Sequence, residues 1–181
     1  MAPLTVFDQI TMHAFVGDLP SNWLYRLAAH GRTVLRHPGD RLFDEGGPAR
    51  HFWLIRSGIV ALDFFVPGRG HIVLERVGAD SVVGWSWLIP PYRWTLGAVV
   101  AEPMHAVEFD AAGVRALIAE DTDLGRELTL RMLAVLADRL QAARSRLAEL
   151  YAYRDDQVEP SAGGGGTNGP GRLPVPRVEL K

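Results

Sequence analysis

The spacing of apolar residues changes twice along the chain and divides it into a helical start, a strand-rich middle and a helical end. In residues 1–31 apolar side chains recur every three or four positions, which is the period of an α-helix. We predict an N-terminal helical segment there, with one helix starting at Asp18-Leu19-Pro20-Ser21 and ending at Gly31. In residues 32–109 short runs of Val, Ile, Leu and Phe alternate with glycine and proline turns, which predicts an antiparallel β-sandwich or barrel.

One long hairpin is the clearest feature of this β region. Ile59–Val66 and His71–Val77 are apolar runs, and Pro67-Gly68-Arg69-Gly70 separates them as a turn. Ser57-Gly58 and Pro103 are further turn signals, and each is predicted to separate two strands.

The helical period returns at Asp110, which is a suitable N-cap for a helix over 111–120. A second, longer helix is predicted from Asp121 to about Tyr153. It carries apolar residues at alternating spacings of three and four, the a/d register of a coiled coil, at Leu133, Leu136, Leu140, Ala143, Leu147 and Leu150.

We predict that this dimer seam pairs with a second copy of the chain, because a projecting helix with an apolar stripe needs a partner. The alternative is that the seam packs back on the barrel. Arg139 and Arg144 fall at positions that would repel each other in a parallel pair. Residues 154–181 include four consecutive glycines and few apolar residues, which predicts a disordered tail that is either inert or a short partner-binding segment.

Composition narrows the class of protein. The chain has 181 residues, a net charge of −2 and no cysteine, so it offers no disulfide, no thiolate metal site and no general attraction for DNA. The N-terminus lacks the basic and apolar regions of a signal peptide, and no apolar run is long enough to span a membrane. We therefore expect a cytoplasmic protein.

The stretch from Gly84 to Thr95 has the chemistry of a phosphate cradle. A glycine turn precedes a helix-compatible run, whose free N–H groups favour an anion, and Arg93 can grip a phosphate by two hydrogen bonds. The same stretch contains three tryptophans, Trp85, Trp87 and Trp94, which is far more aromatic surface than a phosphate needs.

The β region resembles the cyclic-nucleotide-binding domains of catabolite-activator and FNR-type regulators. The resemblance rests on the turn at Pro38-Gly39-Asp40, the turn at Glu45-Gly46, and the strand that ends at Ser57-Gly58. It covers residues from about 19 to 153. It implies a mostly β fold with flanking helices: an eight-stranded antiparallel jelly roll, N-terminal helices, a long C-terminal dimerisation helix, and a phosphate cassette at the stretch described above.

The cassette departs from the family pattern. Trp85 stands where nucleotide-binding members have a glutamate for the ribose hydroxyl, and Trp87 replaces a small residue. Arg93 matches the phosphate-binding arginine, within one residue of alignment. Its alternative role is that of a surface arginine stacked on an aromatic ring. The predicted ligand-binding residues are Gly84, Trp85, Ser86, Arg93, Trp94 and Thr95.

The sequence contains neither a helix-turn-helix pattern nor a catalytic motif, which limits the functions that we expect. In transcription factors of this family a helix-turn-helix follows the long helix, but the last 28 residues here are too rich in glycine and proline to form one, so no direct DNA binding is expected. No motif supports catalysis: the nucleophile-elbow pattern around Ser86 lacks its second glycine. The nearest metal candidates, His51, His71 and Glu75, have no ligand spacing, and no metal is expected.

Two functional hypotheses follow. In the first, the protein is a dimeric, non-catalytic sensor that binds a cyclic nucleotide such as cAMP or cGMP weakly, or another small anionic ligand. In the second, Trp85, Trp87 and Trp94 fill the pocket, and the domain is a ligand-free scaffold that binds a protein partner. Trp85 favours the scaffold, whereas Gly84 and Arg93 favour the sensor.

Overall fold

A computed structural model describes residues 4–155, with side chains described up to Tyr151. Contacts divide the chain into one compact unit that ends at Leu140 and a second that begins at Gln141. The elements are α1 Val6–Thr11, α2 Ser21–Ala28, β1 Gly31–Arg36, β2 Arg41–Phe43, β3 His51–Val66, β4 Gly70–Val77, β5 Val82–Val83, a 3₁₀ turn Trp85–Trp87, β6 Gly97–Asp110, α3 Ala111–Glu120 and α4 Thr122–Asp155.

The strands form a mostly antiparallel sheet with helices on either side in sequence, as predicted. The sheet order is β1-β6-β3-β4; β2 also pairs with β6 and β5 with β3. The predicted hairpin is confirmed, since Val60 pairs with Val77 and Val66 with Gly70. The described residues contain six strands rather than the predicted eight, because β3 and β6 each run through a position that the sequence marked as a turn.

Gly58 explains why β3 is continuous. The register between β3 and β6 shifts on both sides of this residue, so a bulge replaces the predicted turn. Gly58 has a φ of 92°, and a Cβ at this position would lie 2.8 Å from the Cα of Met104 on β6. Gly58 therefore lets β3 and β6 approach closely, and it does not end β3.

The core lies inside the sheet and extends under the helices. Ile55, Val60, Val100 and Met104 from β3 and β6 are fully buried there. One buried carboxylate, Asp63, is 2% exposed and is held by two hydrogen bonds from Arg41, at 2.5 and 2.8 Å. This bidentate pairing satisfies a charge that would be costly to bury alone.

The N-terminal segment contains two helices, as its periodicity indicated. α2 begins at Ser21 within the predicted start signal. The predicted helix end at Gly31 is wrong: α2 ends at Ala28, and Gly31 opens β1 opposite Phe109. A Cβ at Gly31 would lie 2.9 Å from a methyl group of Val6, so this glycine serves packing between α1 and the sheet.

The C-terminal helices begin where the caps predict. The Asp110 carboxylate accepts from the Gly113 N–H at 2.7 Å, and the Asp121 carboxylate accepts from the Leu124 N–H at 3.1 Å. One face of the first part of α4 is buried through Leu124, Leu128 and Met132. Arg131 fastens the same part of the helix to Asp18 at 2.5 Å.

The face of α4 next to this buried face carries the predicted seam. Leu133 is 60% exposed and Leu140 is 62% exposed, and Leu147 and Leu150 are exposed as well. Leu136 is half-buried and Ala143 is exposed. No seam residue belongs to the buried core, so pairing with a second copy remains a prediction that this surface permits.

The predicted repulsion between Arg139 and Arg144 does not fit the position of Arg139. Its side chain is 16% exposed and lies against β4 and β5, where it donates to the Val82 carbonyl. An arginine side chain is long enough to reach from the flank of a helix to a neighbouring strand. Heptad spacing gives only the position of a residue around the helix and does not predict such a contact.

α4 extends to Asp155, two residues into the segment that was predicted as tail. The rest of that predicted tail lies outside the described residues. None of the helices between residues 4 and 155 has both the length and the apolar character needed to cross a bilayer.

Candidate functional site

The predicted phosphate cradle is a single short turn. Gly84 has a φ of 94°, and Trp85–Trp87 form one turn of 3₁₀ helix, with Leu88 as its C-cap. Three residues do not build the aligned peptide dipoles of a longer helix, so the expected helix N-terminus is absent from this stretch. Ser86 is 4% exposed and Gly84 is buried, so both lie beneath the surface.

The segment that follows is pinned to the turn between β2 and β3. The Trp94 N–H donates to the Gly47 carbonyl at 2.9 Å, and the Gly46 N–H donates to the Trp94 carbonyl at 2.8 Å. Successive side chains of an extended segment point to opposite sides. Trp94 accordingly points inward, whereas its neighbours Arg93 and Thr95 are exposed.

Trp94 fills the space beneath the turn at Gly84. It is 6% exposed, and its ring stacks on Phe43 at a centroid distance of 3.9 Å. Its ring also lies 6.1 Å from that of Trp53. A Cβ on Gly84 would come within 2.9 Å of the Trp94 ring, so the cassette glycine makes room for indole.

The cavity that remains has a volume of about 10 Å³. This is room for about one water molecule, whereas pockets for drug-sized ligands measure roughly 300–1,000 Å³. In this conformation the site is therefore closed to a nucleotide. Its walls are formed by Phe43, Leu62, Gly84, Trp85, Ser86, Trp94, Thr95, Leu96 and Arg139.

The other two tryptophans of the stretch differ from Trp94. Trp87 is 1% exposed and stacks on Phe52 at 4.5 Å, so it is part of the hydrophobic core. Trp85 is half-buried and forms one wall of the cavity. Its indole carries an N–H donor and no acceptor, so it cannot replace a carboxylate that accepts from a sugar hydroxyl.

Arg93 is engaged outside the cavity. Its guanidinium donates to the Gly46 carbonyl at 2.7 Å, and the side chain does not line the cavity. The cation–π contact nearby belongs to Arg115, whose guanidinium carbon lies 4.4 Å from the centre of the Tyr92 ring. Neither interpretation of Arg93 from the sequence describes its contact with Gly46. In the structure Arg93 stabilises the turn between β2 and β3.

Arg139 is the charged residue of the cavity wall, and the sequence analysis did not assign it to the site. Its Nε lies 4.0 Å from the Glu75 carboxylate on β4. Burial lowers the pKa of Arg139 below the ordinary arginine value, and the charge of Glu75 partly offsets this effect. Arginine stays protonated at neutral pH even so. Among the described residues that line the cavity, this cation comes from α4 and not from the cassette.

The histidine candidates do not form a metal site. Within residues 4–155, no three His, Asp or Glu side chains converge as metal ligands would. His71 lies 3.4 Å from Asp63, whereas Glu75 faces Arg139, so the two candidates contact different residues.

Comparison with known proteins accounts for this architecture. Residues 34–121 match the family model of the cyclic nucleotide-binding domain. This part of the chain is similar to cyclic nucleotide-binding domains. No curated protein is significantly similar to the chain.

Several solved structures share the fold. A cyclic nucleotide-binding domain from Methylobacillus flagellatus KT has a TM-score of 0.67 and 20% identity, covering 80% of this chain and 82% of that one. The sensor domain of the transcriptional regulator DNR from Pseudomonas aeruginosa has a TM-score of 0.59 and 21% identity, with coverages of 85% and 93%. The Thermus thermophilus catabolite activator protein has a TM-score of 0.59 and 23% identity, with coverages of 76% and 62%.

Proposed function

We propose that this cyclic nucleotide-binding domain is a non-catalytic regulatory module that holds no nucleotide, because its own Trp94 fills the cavity, and that it acts by binding protein, including a second copy of itself. The observation that carries the proposal is the cavity of about 10 Å³ beneath a tryptophan that is 6% exposed. Trp85 and the outward engagement of Arg93 support it independently.

The second candidate function is a sensor of a small anion. It is favoured by one observation: Ser86 and the cation of Arg139 both lie at the cavity, so the space beneath Trp94 is not purely apolar. In that case a ligand would have to displace the Trp94 ring from its stack on Phe43. The two functions therefore differ in whether Trp94 moves.

Calorimetric titration with cAMP, cGMP and cyclic dinucleotides distinguishes them. We expect no heat of binding from the wild-type protein with any of these. Binding by the wild-type protein would overturn the proposal and establish the sensor. The Arg93→Ala variant tests the cassette arginine: if wild type binds and this variant binds equally, then Arg93 takes no part in recognition.

Self-association is tested on the seam. Exposed leucines on α4 offer apolar surface whose burial between two copies would be favourable. Light scattering over a range of concentrations should show a dimer for the wild-type chain and a monomer for Leu133→Glu/Leu140→Glu. A wild-type monomer at every concentration would remove the second copy from the proposal and leave only a different protein partner.

A further inference from the structure

Three strand ends meet at a cleft that shares none of its described lining residues with the cavity beneath Trp94. The cleft has a volume of about 360 Å³ and is bordered by the turn before β1, the start of β3 and the end of β6. We call it the strand-end cleft. Its charged and imidazole side chains are those of His30, Arg32, His51, Glu108 and Asp110.

The pairing of the strands explains why these side chains converge. Asp110 pairs with His51 of β3, and its N–H donates to the His30 carbonyl at 2.9 Å. Two residues earlier on β6, Glu108 pairs with Arg32 of β1. Residues two apart on a strand face the same side of a sheet. The cleft therefore has an outer row, His30, Asp110 and His51, and an inner row around Glu108.

The inner row is satisfied by the protein itself. Glu108 is 3% exposed, and its carboxylate accepts from Arg32 at 2.8 Å and from Arg36 at 3.2 Å. The Trp53 indole donates to the same carboxylate at 2.9 Å. Charge-assisted bonds of this kind compensate for the burial of a carboxylate. The inner row therefore forms a fixed floor of the cleft.

The outer row keeps unused hydrogen-bonding groups. One Asp110 oxygen accepts from the Gly113 N–H at 2.7 Å, and the other has no donor among the described residues. The rings of His30 and His51 make no hydrogen bond within residues 4–155. A Cβ at Gly113 would overlap the His30 ring, so this glycine makes the space that the ring occupies. The outer row thus offers a carboxylate oxygen and two imidazoles to a molecule in the cleft.

The spread of these groups and the size of the cleft decide the class of ligand. No three of the described His, Asp and Glu side chains converge as metal ligands would, so a single ion does not engage the outer row. About 360 Å³ is room for a small organic molecule. An anion is disfavoured, because it would face Asp110, while Arg32 and Arg36 already donate to Glu108. Positively charged N–H donors satisfy both a carboxylate and neutral imidazoles.

We propose that the strand-end cleft is a binding site for a small aliphatic amine of about the size of a diamine. Its ammonium group donates to the Asp110 carboxylate, and further N–H groups donate to His30 and His51. The site goes beyond the proposed function, because it uses no residue of the cavity beneath Trp94. Nucleotide binding by the wild-type chain would overturn the closed cavity and leave the amine site intact, and failure of the amine site would leave the closed cavity intact.

NMR spectra of the histidine rings of the full chain locate the binding. Putrescine is the probe, and butanediol and succinate are its neutral and anionic counterparts of equal chain length. We expect putrescine to shift the His30 and His51 signals saturably, with a dissociation constant of about 1 mM or below, which a ligand this small can reach. The signals of His37 and His105, which lie outside the cleft, should not move. The absence of a saturable shift with putrescine, or equal shifts with butanediol or succinate, would overturn the proposal.

Removal of one charge tests the role of Asp110. Asp110→Asn keeps a residue that caps helices well, so α3 retains its start. We expect this variant to bind putrescine about ten-fold more weakly or less, since hydrogen bonds to charged groups are among the stronger ones. The matched control is Asp123→Asn, which removes an exposed carboxylate from the first turn of α4 and should leave binding unchanged. Equal weakening by the two variants would mean that putrescine responds to overall charge, which contradicts the proposal.

His51→Ala gives a second test that leaves the helix cap intact. It removes one imidazole acceptor of the outer row, and we expect putrescine binding to weaken by about three-fold or more. Far-UV circular dichroism of each variant checks that the domain is folded. Unchanged binding by a folded His51→Ala variant would exclude the outer row as the ligand-binding surface.

Discussion

Replacement of Trp94 by alanine tests the filled cavity most directly. The side chain is 6% exposed and stacks on Phe43, so nearly all of its surface is removed from water on folding. We expect a loss in the free energy of unfolding that is large relative to the stability of a single domain. Trp85→Ala is the matched control, because Trp85 lines the same cavity but is only half-buried.

The magnitude follows from the buried area. A buried tryptophan removes about 150–250 Å² from water, which at about 25 cal/mol per Å² corresponds to roughly 4–6 kcal/mol. This is an upper bound, because an unfolded chain already buries part of its apolar surface. Substitutions of buried Phe or Trp by Ala cost about 3–5 kcal/mol. We therefore expect about 3–5 kcal/mol for Trp94→Ala, and less than half of that for Trp85→Ala.

Urea unfolding monitored by far-UV circular dichroism is the suitable assay, since the substitution itself changes the tryptophan fluorescence. The midpoint should fall strongly for Trp94→Ala with little change in slope. A loss below about 1 kcal/mol, or equal losses for the two variants, would show that Trp94 is not the residue that fills the cavity.

Two further predictions concern the scaffold around the site. His13 is 2% exposed, and burial lowers its pKa, so the unfolded chain binds the proton more readily than the folded one. The contribution of His13 to the free energy of unfolding should therefore be constant above about pH 6.5. Below that pH the free energy of unfolding should fall by at most about 1.4 kcal/mol per pH unit. Urea midpoints measured from pH 5 to 8 should show this dependence on pH for the wild-type chain and for His37→Gln, which changes an exposed histidine. The dependence should be weaker for His13→Gln. The same dependence in all three proteins would exclude His13 as its cause. Gly58→Ala should lower the free energy of unfolding by about 1–3 kcal/mol or more, and Gly68→Ala should lower it less. Both glycines have a positive φ, but only Gly58 faces a neighbouring strand. Equal losses in thermal unfolding would mean that backbone conformation, and not the close strand contact, explains the glycine.

Several elements around the candidate site could be predicted from the sequence because they follow local rules. Asp110 caps its helix and the Pro67–Gly70 turn closes its hairpin, and each depends only on residues a few positions away. The number of strands could not be obtained in the same way. Gly58 is a turn signal locally, and only the approach of Met104 from a distant strand makes it a bulge.

The contents of the cavity depended equally on distant contacts. The sequence left open whether Arg93 holds an anion, and the direction of its side chain follows from the pairing of Trp94 with Gly47, which is remote in the chain. Arg139 was assigned by heptad register to a helix flank. Its contact with Val82 depends on side-chain reach and on the placement of β5 beside α4, and no periodicity carries that information.

The long pairing of β3 with β6 has a consequence for how quickly this protein reaches its native state. His51 pairs with Asp110 and Asp63 with Gly97, so the hairpin and the whole cassette lie within the loop that this pairing closes. Loop closure of this kind costs entropy before any contact repays it, and domains dominated by non-local pairs fold in milliseconds to seconds. The Trp94 ring stacks on Phe43, which lies outside that loop on β2 and pairs with Ala98 of β6. We therefore expect the burial of this indole to report a late step of folding.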